Sequence, residues 1–140
     1  MALEQILVDT GPIVALLRPD DSEHQICLAQ AQTLRYPFLT SWAVLTEAAW
    51  LLRDLPDGNS KLLAQVEHGL IAPLDLEAKS ASWLRAFLEK YHDLGAQLAD
   101  ASICYLAERE RINRIFTLDR RDFLIYRNQQ NQPFELVPTR

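Results

Sequence analysis

ILVDTGPIVALL, residues 6–17, is the segment from which the fold class is predicted. Its first three residues form a short apolar strand, and a turn leads from them into a helix that begins at Pro12. Proline suits the first position of a helix because its missing N–H would have no partner there. Asp9 therefore follows a buried strand, at the edge where open α/β sheets hold their ligands. The position also suits a carboxylate that only caps the helix. Evidence from the rest of the chain is needed to choose between a site residue and a helix cap.

Strand and helix patterns alternate along the rest of the chain. Apolar runs predict strands, one of them an edge strand because it contains Pro73. These further strands cover residues 38–40, 71–76, 114–118, 123–126 and 134–137. Helical patterns cover residues 22–34, 42–52, 60–70, 77–92 and 95–110. The alternation predicts an α/β fold: one three-layer α/β/α domain over residues 1–140, with a mainly parallel central sheet flanked by helices.

The composition is that of an ordinary globular protein, with 49% hydrophobic and 24% charged residues in a chain of 140. No apolar run approaches the roughly 20 residues that span a bilayer, and the first residues lack the basic start of a signal peptide. We therefore expect a cytoplasmic protein with no membrane partner. Cys27 and Cys104 match no zinc-binding spacing, which predicts two buried free thiols.

The net charge of −5 at first argues against a nucleic-acid partner. The distribution of the charge changes this conclusion, because six of the 14 basic residues lie between Arg109 and Arg127. A local basic segment can contact a phosphate backbone even in an acidic protein. RNA therefore stays among the candidate partners.

Three further acids occur in settings similar to that of Asp9. Glu47 lies in the apolar helix pattern WAVLTEAAWLL, with no cation in reach on its own helix. A buried unpaired charge is costly unless it is protonated or bound to a metal. Asp100 falls in the first turn of its predicted helix, and Asp119 follows a strand pattern. Each has a simpler interpretation: Glu47 could reach solvent from the rim of its helix, and Asp100 could only complement the helix dipole.

In a parallel sheet Asp9 and Asp119 emerge at one edge, and helices can present Glu47 and Asp100 to the same crevice. Four converging carboxylates would raise one another's pKa values unless a cation neutralises them. Oxygen ligands alone favour a hard ion, Mg²⁺ or Mn²⁺, and the lack of convergent His or Cys disfavours zinc. Such ions activate water and stabilise the leaving oxygen of a phosphate ester. The pattern therefore predicts a metal-dependent phosphodiester hydrolase.

The chain also resembles a known family. VDTGPIVALL at residues 8–17, TE at 46–47, LADASI around Asp100 and FTLDRRDF around Asp119 resemble, in this order, the PIN domain family and its single-domain VapC-type toxins. The resemblance implies a metal-dependent ribonuclease, the toxin of a type II toxin-antitoxin pair, often a homodimer and commonly neutralised by a small antitoxin protein. It implies that Asp9, Glu47, Asp100 and Asp119 are catalytic. In the resulting hypothesis Asp9, Asp100 and Asp119 bind Mg²⁺ or Mn²⁺, and Glu47 completes the shell or positions the attacking water.

Further residues match lesser positions of the same motifs. Asp122 is a candidate outer metal ligand, while Thr10 and Thr117 could hold water or orient carboxylates. Arg120 and Arg121 are closest in sequence to the last acidic motif and are the first candidates for phosphate contacts; a solvated surface would explain both equally well. Because water attacks the phosphorus in this mechanism, the products would carry 5′-phosphate and 3′-hydroxyl ends.

Two other functional classes stay open. Asp9-Thr10-Gly11 is the tripeptide of aspartic proteases, whose paired carboxylates share a proton. Those enzymes are nearly all β, whereas this chain is rich in helical periodicity. Alternatively, the chain is a PIN-fold RNA-binding or protein-interaction module without nuclease activity.

The sequence contains no motif that reads a particular RNA, so tRNA, rRNA and mRNA are all open as substrates. Trp42, Trp50 and Trp83 lie beside apolar residues at helical positions. This pattern favours burial in the core or at a subunit interface over stacking on bases.

Overall fold

A sheet of five parallel strands lies at the centre of the computed structural model, which describes residues 4–128 and 130–139. In chain order the strands are β1 (Leu7–Val8), β2 (Phe38–Thr40), β3 (Ile71–Pro73), β4 (Arg114–Phe116) and β5 (Glu135–Val137). Their spatial order is β3-β2-β1-β4-β5, and all neighbouring pairs are parallel. The opening strand is therefore central, and the strand that contains Pro73 lies at an edge, as predicted.

Helices connect the strands and cover the sheet. They are α1 (Thr10–Leu17), α2 (His24–Ala31), α3 (Trp42–Leu51), α4 (Gly58–Glu67), α5 (Ala81–Lys90), α6 (Leu98–Glu110) and α7 (Arg120–Phe123), with short 3-10 helices at Ala78–Ser80 and His92–Leu94. Helix α1 packs against α2 and α3, and α6 packs against α3 and α5. These elements confirm the predicted three-layer α/β/α fold with its parallel sheet. They also exclude the aspartic-protease alternative, whose enzymes are nearly all β.

The central strands are buried on both faces. Leu7, Val8, Ile115 and Phe116 have no exposed surface, which is the burial expected of parallel strands covered by helices. Because β1 and β4 are parallel neighbours, their carboxyl ends open at one edge of the sheet. The residues that directly follow these strands are brought together there.

The two helices that carry Glu47 and Asp100 are joined by a pair of hydroxyls. Ser41 caps α3 through its Oγ, which accepts a hydrogen bond from the N–H of Val44 at 3.1 Å. The same Oγ lies 2.7 Å from the Oγ of Ser102 on α6, and both hydroxyls are buried. This contact fixes α3 relative to α6 close to the edge where β2 ends.

One predicted strand, residues 123–126, is wrong. The chain forms the end of α7 and a turn there. Phe123 and Tyr126 are fully buried, whereas Leu124 and Ile125 between them are 47% and 44% exposed. Burial at a spacing of three residues is helical, and a strand would bury alternate residues. Asp119 caps this short helix, a signal that the apolar composition of the segment obscured.

The tryptophans divide into two groups. Trp83 is partly buried and packs against the rings of Phe87 and Tyr105. Trp42 and Trp50 expose 49% and 63% of their surfaces. The core interpretation therefore holds for Trp83 and is wrong for the other two.

Cys27 and Cys104 are buried free thiols, as predicted. Burial raises the pKa of the Cys104 thiol well above its ordinary value, which makes it a poor nucleophile. Within the described residues, none of the helices combines the length and the apolar character needed to cross a membrane.

Candidate active site

An open cavity of about 450 Å³ contains all four acids that the sequence singled out. Asp9 reaches it from the end of β1, Asp119 from the end of the β4 segment, Glu47 from α3 and Asp100 from α6. Asp122 of α7 is a fifth acid in its lining. The parallel sheet explains this convergence, because neighbouring strands end at the same edge and α3 packs on α6 beside it.

A hydroxyl from the neighbouring strand segment holds Asp9 in place. Thr117 donates from Oγ1 to Oδ2 of Asp9 at 3.0 Å and accepts a hydrogen bond from the backbone N–H of Asp119 at 3.0 Å. Thr117 is itself fixed, since its backbone N–H donates to the carbonyl of Val137 at 3.0 Å. The carboxylate of Asp9 makes no side-chain capping bond to α1. Asp9 is therefore oriented toward the acidic cavity and does not act as a simple helix cap.

Asp100 is fixed by two donors. The backbone N–H of Gln97 donates to Oδ2 of Asp100 at 3.4 Å, as part of a capping box at the start of α6. The hydroxyl of Tyr126 donates to the same oxygen at 3.1 Å. The Tyr126 ring is held by an aromatic cluster of Phe87, Tyr91 and Phe123. Asp100 therefore has the structural role that the sequence allowed and also lies in the acidic cavity.

Glu47 is half-buried in the wall that α3 contributes to the cavity. Leu51, one helical turn later, lines the same wall. Glu47 therefore combines the two roles that the sequence left open: it is an acid on a largely apolar helix, and it borders an open cavity that it shares with other carboxyl groups.

Burial and crowding make Asp9 hard to ionise. Removal from water raises its pKa from 3.8 to about 7, and the charges of Asp100 and Glu47 add to the rise. Hydrogen bonds from the backbone of Thr10 and from Thr117 oppose the shift without cancelling it. Burial also raises the pKa of Asp100, and neighbouring carboxylates contribute. The site therefore carries negative charge that its own residues do not compensate.

The lining of the cavity offers oxygen ligands and no cationic side chain. Two buried oxygens, Oγ1 of Thr10 and Oδ1 of Asp122, have no hydrogen-bond partner in the part of the chain that the structure describes. Besides the five acids and Thr10, the lining consists of Gly11, Leu51, Gly95, Gln97 and Leu118.

The arrangement of these oxygen atoms limits the kind of cation that the cavity could hold. Within residues 4–128 and 130–139, no three Asp, Glu, His or Cys side chains form a ready-made metal centre. Mg²⁺ retains several waters and is usually held by only one or two carboxylates. Because the lining is rich in oxygen and lacks soft ligands, it fits a hydrated hard cation and does not fit zinc.

The two candidate arginines differ in their surroundings. A second cavity, of about 480 Å³, is lined by Arg120, Arg121 and Asp119, and Asp119 also belongs to the acidic cavity. Arg120 donates from Nη1 to the carbonyl of Pro138 at 2.7 Å, so part of its guanidinium fastens the chain after β5. The side chain of Arg121 is 84% exposed, and its Nε lies 3.8 Å from Asp122. Arg121 is therefore the arginine that is better placed to meet a ligand.

Sequence reasoning missed the two residues that fix Asp100. Tyr126 lies 26 residues further along the chain and belongs to a segment predicted as a strand, so no local pattern connects the two. Gln97 precedes Asp100 by three residues, which is the spacing of a capping box. This second signal was present in the sequence.

The family model that describes the PIN domain matches residues 6–128. The chain therefore belongs to the PIN domain family. Among solved structures it is similar to VapC20 of Mycobacterium tuberculosis, a toxin described as cleaving the sarcin-ricin loop, with a TM-score of 0.72. The two sequences are 19% identical, and the match covers 84% of this chain and 92% of that chain. At this identity the likeness shows a shared fold. No curated protein matched the chain.

Proposed function

We propose that this PIN domain protein is a metal-dependent ribonuclease that hydrolyses RNA phosphodiester bonds, and that it is the toxin of a type II toxin-antitoxin pair. The observation that carries the proposal is the crowding of five carboxyl groups around one cavity whose lining contains no cation. Burial raises the pKa of Asp9, and the charges of Asp100 and Glu47 in the same cavity add to the rise. Strongly perturbed carboxyls in a cleft are typical of functional sites, and a bound hard cation would remove the penalty.

Asp9, Asp100 and Asp119 are the proposed ligands of Mg²⁺ or Mn²⁺, and Glu47 completes the set or positions the attacking water. When bound, a divalent ion lowers the pKa of water and offsets the charge that develops on the phosphate. Attack by water on phosphorus breaks the bond to the 3′ oxygen and leaves 5′-phosphate and 3′-hydroxyl ends. No side-chain nucleophile takes part.

The surrounding residues orient these carboxylates. Thr117 bonds Oδ2 of Asp9 and Tyr126 bonds Oδ2 of Asp100, so a hydroxyl donor of the protein holds each carboxylate. Supporting hydrogen bonds of this kind fix the orientation of metal-binding groups and typically change affinity or activity 10- to 100-fold. We propose Arg121 as a phosphate contact beside the acidic cavity, since its side chain is exposed.

The likeness to VapC20 supports the toxin part of the proposal and suggests a first substrate. That protein is described as cleaving the sarcin-ricin loop, which makes a structured rRNA loop the first RNA to test. An antitoxin protein as regulator and a homodimer as the active form complete the proposal, and the resemblance to VapC-type toxins supports both. We place the protein in the cytoplasm, where its RNA substrates are found.

The test is cleavage of a panel of structured RNAs, including a sarcin-ricin loop, a tRNA and an mRNA leader, by protein freed of copurifying antitoxin. Wild type, Asp9→Asn and Asp100→Asn are compared in Mg²⁺, in Mn²⁺ and in chelator. Glu67→Gln, which changes an acid exposed at the end of α4, is the matched control. We expect metal-dependent cleavage that is lost in both aspartate variants, retained in the control and accompanied by unchanged circular dichroism.

Cleavage that persists in either folded aspartate variant would assign the activity to a contaminant or to another mechanism. A second candidate function is a PIN-fold RNA-binding or protein-interaction module without nuclease activity. The observation that favours it is that no three acids of the described residues form a ready-made metal centre. A wild type that binds RNA but cleaves no member of the panel in either metal would establish this alternative.

A further inference from the structure

An exposed aromatic residue, Trp50, lies one residue before the end of α3, with a cation held on its ring. Trp50 is 63% exposed, the highest value among the large hydrophobic side chains of the described residues. The guanidinium carbon of Arg53 lies 3.8 Å from the centre of the Trp50 ring. Nη1 of Arg53 also donates to the Trp50 carbonyl at 2.7 Å. The hydrogen bond and the cation-π contact together hold both side chains at the surface.

This pair is adjacent to the acidic cavity. Glu47 precedes Trp50 by one helical turn and Leu51 follows it directly, and both line the cavity. The sheet order places β2 and β4 on opposite sides of β1. Helix α3, which carries Trp50, follows β2, and Arg121 follows β4, so the two elements belong to strands on opposite sides of the strand that ends at Asp9. An RNA strand that crosses the cavity from one of these strand ends to the other would run from Arg121 toward the helix that carries Trp50.

We propose that Trp50 and Arg53 form a subsite for an unpaired nucleotide of RNA, in which a base stacks on the indole ring and Arg53 contacts the adjacent phosphate. The proposal rests on the proposed ribonuclease function, because it concerns RNA bound across the same cavity. Aromatic rings that stack on bases beside a basic group are a recurring way to bind single strands without sequence preference. The subsite would therefore position an unpaired loop for cleavage and would not identify its bases.

The cation on the Trp50 ring and the position of the pair beside the acidic cavity indicate RNA as the occupant. Arg53 is exposed, and Arg18 bonds Asp54 at 2.9 Å close by while also contacting the carbonyl of Leu51. A cationic guanidinium beside an aromatic ring is the combination that binds the phosphate and the base of a single strand, and the adjoining acidic cavity is where we propose that RNA is cleaved. The exposure of Trp50 shows that the predicted burial of this tryptophan in the core is wrong.

The test is the binding of a 12-nucleotide, fluorescein-labelled oligo(A) RNA in Mg²⁺, measured by fluorescence anisotropy. The parent protein carries Asp9→Asn so that the proposed cleavage does not consume the probe. Adding Trp50→Ala should raise Kd about tenfold, within the range measured for loss of one stacked base, and Trp50→Phe should recover most of the loss. Trp42→Ala is the matched control, since Trp42 is 49% exposed on the same helix and should leave Kd unchanged.

Arg53→Gln provides a second readout. Loss of one phosphate contact should reduce the slope of log K against log salt by about 0.7, which a purely structural role would not do. A duplex of the same length, whose bases are not free to stack, should bind Trp50→Ala and its parent equally well.

A folded Trp50→Ala variant with the Kd of its parent would overturn the proposal, as would failure of the parent to bind oligo(A). Equal weakening by Trp42→Ala, together with dissociation of a dimer in sedimentation, would assign the face to a second copy and also overturn it. If wild type cleaves RNA but the Trp50 substitutions do not change Kd, the subsite proposal is wrong and the proposed nuclease function stands. Trp50-dependent binding by a wild type that cleaves nothing would keep the subsite and remove the nuclease.

Discussion

Asp9→Asn should stabilise the metal-free protein at neutral pH even though it removes a proposed catalytic group. Burial raises the pKa of Asp9 from 3.8 to about 7 in the folded protein. The folded state therefore holds this proton more tightly than the unfolded state does. The protonated Asp9 makes its full contribution to stability below pH 3.8. This contribution falls as the pH rises and is lost just above pH 7. At about 1.4 kcal/mol per unit, the ionised Asp9 lowers the free energy of unfolding by about 4 kcal/mol.

The assay is urea unfolding of wild type and Asp9→Asn in chelator, at pH 5 and pH 8. The stability of the variant relative to wild type should be greater at pH 8 than at pH 5 by about 3 kcal/mol, because Asn has no charge to lose. Adding Mg²⁺ should then stabilise wild type more than the variant, since the ion binds the folded state through the carboxylate. Glu67→Gln should follow wild type at both pH values. If the free energies of unfolding of Asp9→Asn and wild type differ by the same amount at pH 5 and pH 8, ionisation of Asp9 does not destabilise the folded protein and the prediction is wrong.

Three further predictions concern the residues around the acids. Thr117→Val removes the donor to Asp9 and should lower the rate of RNA cleavage 10- to 100-fold in a folded protein; an unchanged rate would contradict the positioning role. Tyr126→Phe keeps the ring and removes only the hydroxyl bond to Asp100, so the Mg²⁺ concentration for half-maximal cleavage should rise about tenfold or more with unchanged circular dichroism. Arg121→Gln should raise KM and reduce its dependence on salt while leaving kcat nearly unchanged, and a fall in kcat alone would show a different role.

The convergence of the four acids could be predicted from the sequence because strand endings carry topological information. Asp9 and Asp119 each follow an apolar run, and the carboxyl ends of parallel neighbours necessarily meet. Glu47 was recognisable as the lone charge of an apolar helix pattern. These inferences need only the order of the elements along the chain.

The supporting contacts could not be predicted, because they depend on tertiary packing between distant segments. Nothing near Tyr126 in the sequence indicates that its hydroxyl meets Asp100, and the apolar residues 123–126 were consistent with a strand until their burial was known. The exposure of Trp50 was equally hidden. Its neighbours in sequence are apolar and suggested burial. In the fold, however, Arg53 covers one side of its ring, and its helix borders an open cavity.

The most direct test of the central claim is the chemical identity of the ends that the protein produces from one defined RNA loop in Mg²⁺. Mass spectrometry and ligation to adapters distinguish the two outcomes. We expect 5′-phosphate and 3′-hydroxyl ends, formed only in the presence of the metal and absent with Asp9→Asn. Ends that carry 2′,3′-cyclic phosphate would show that the ribose hydroxyl attacks the phosphorus, and cleavage that continues in chelator would show that the reaction needs no metal; either result would contradict hydrolysis by a metal bound in the acidic cavity.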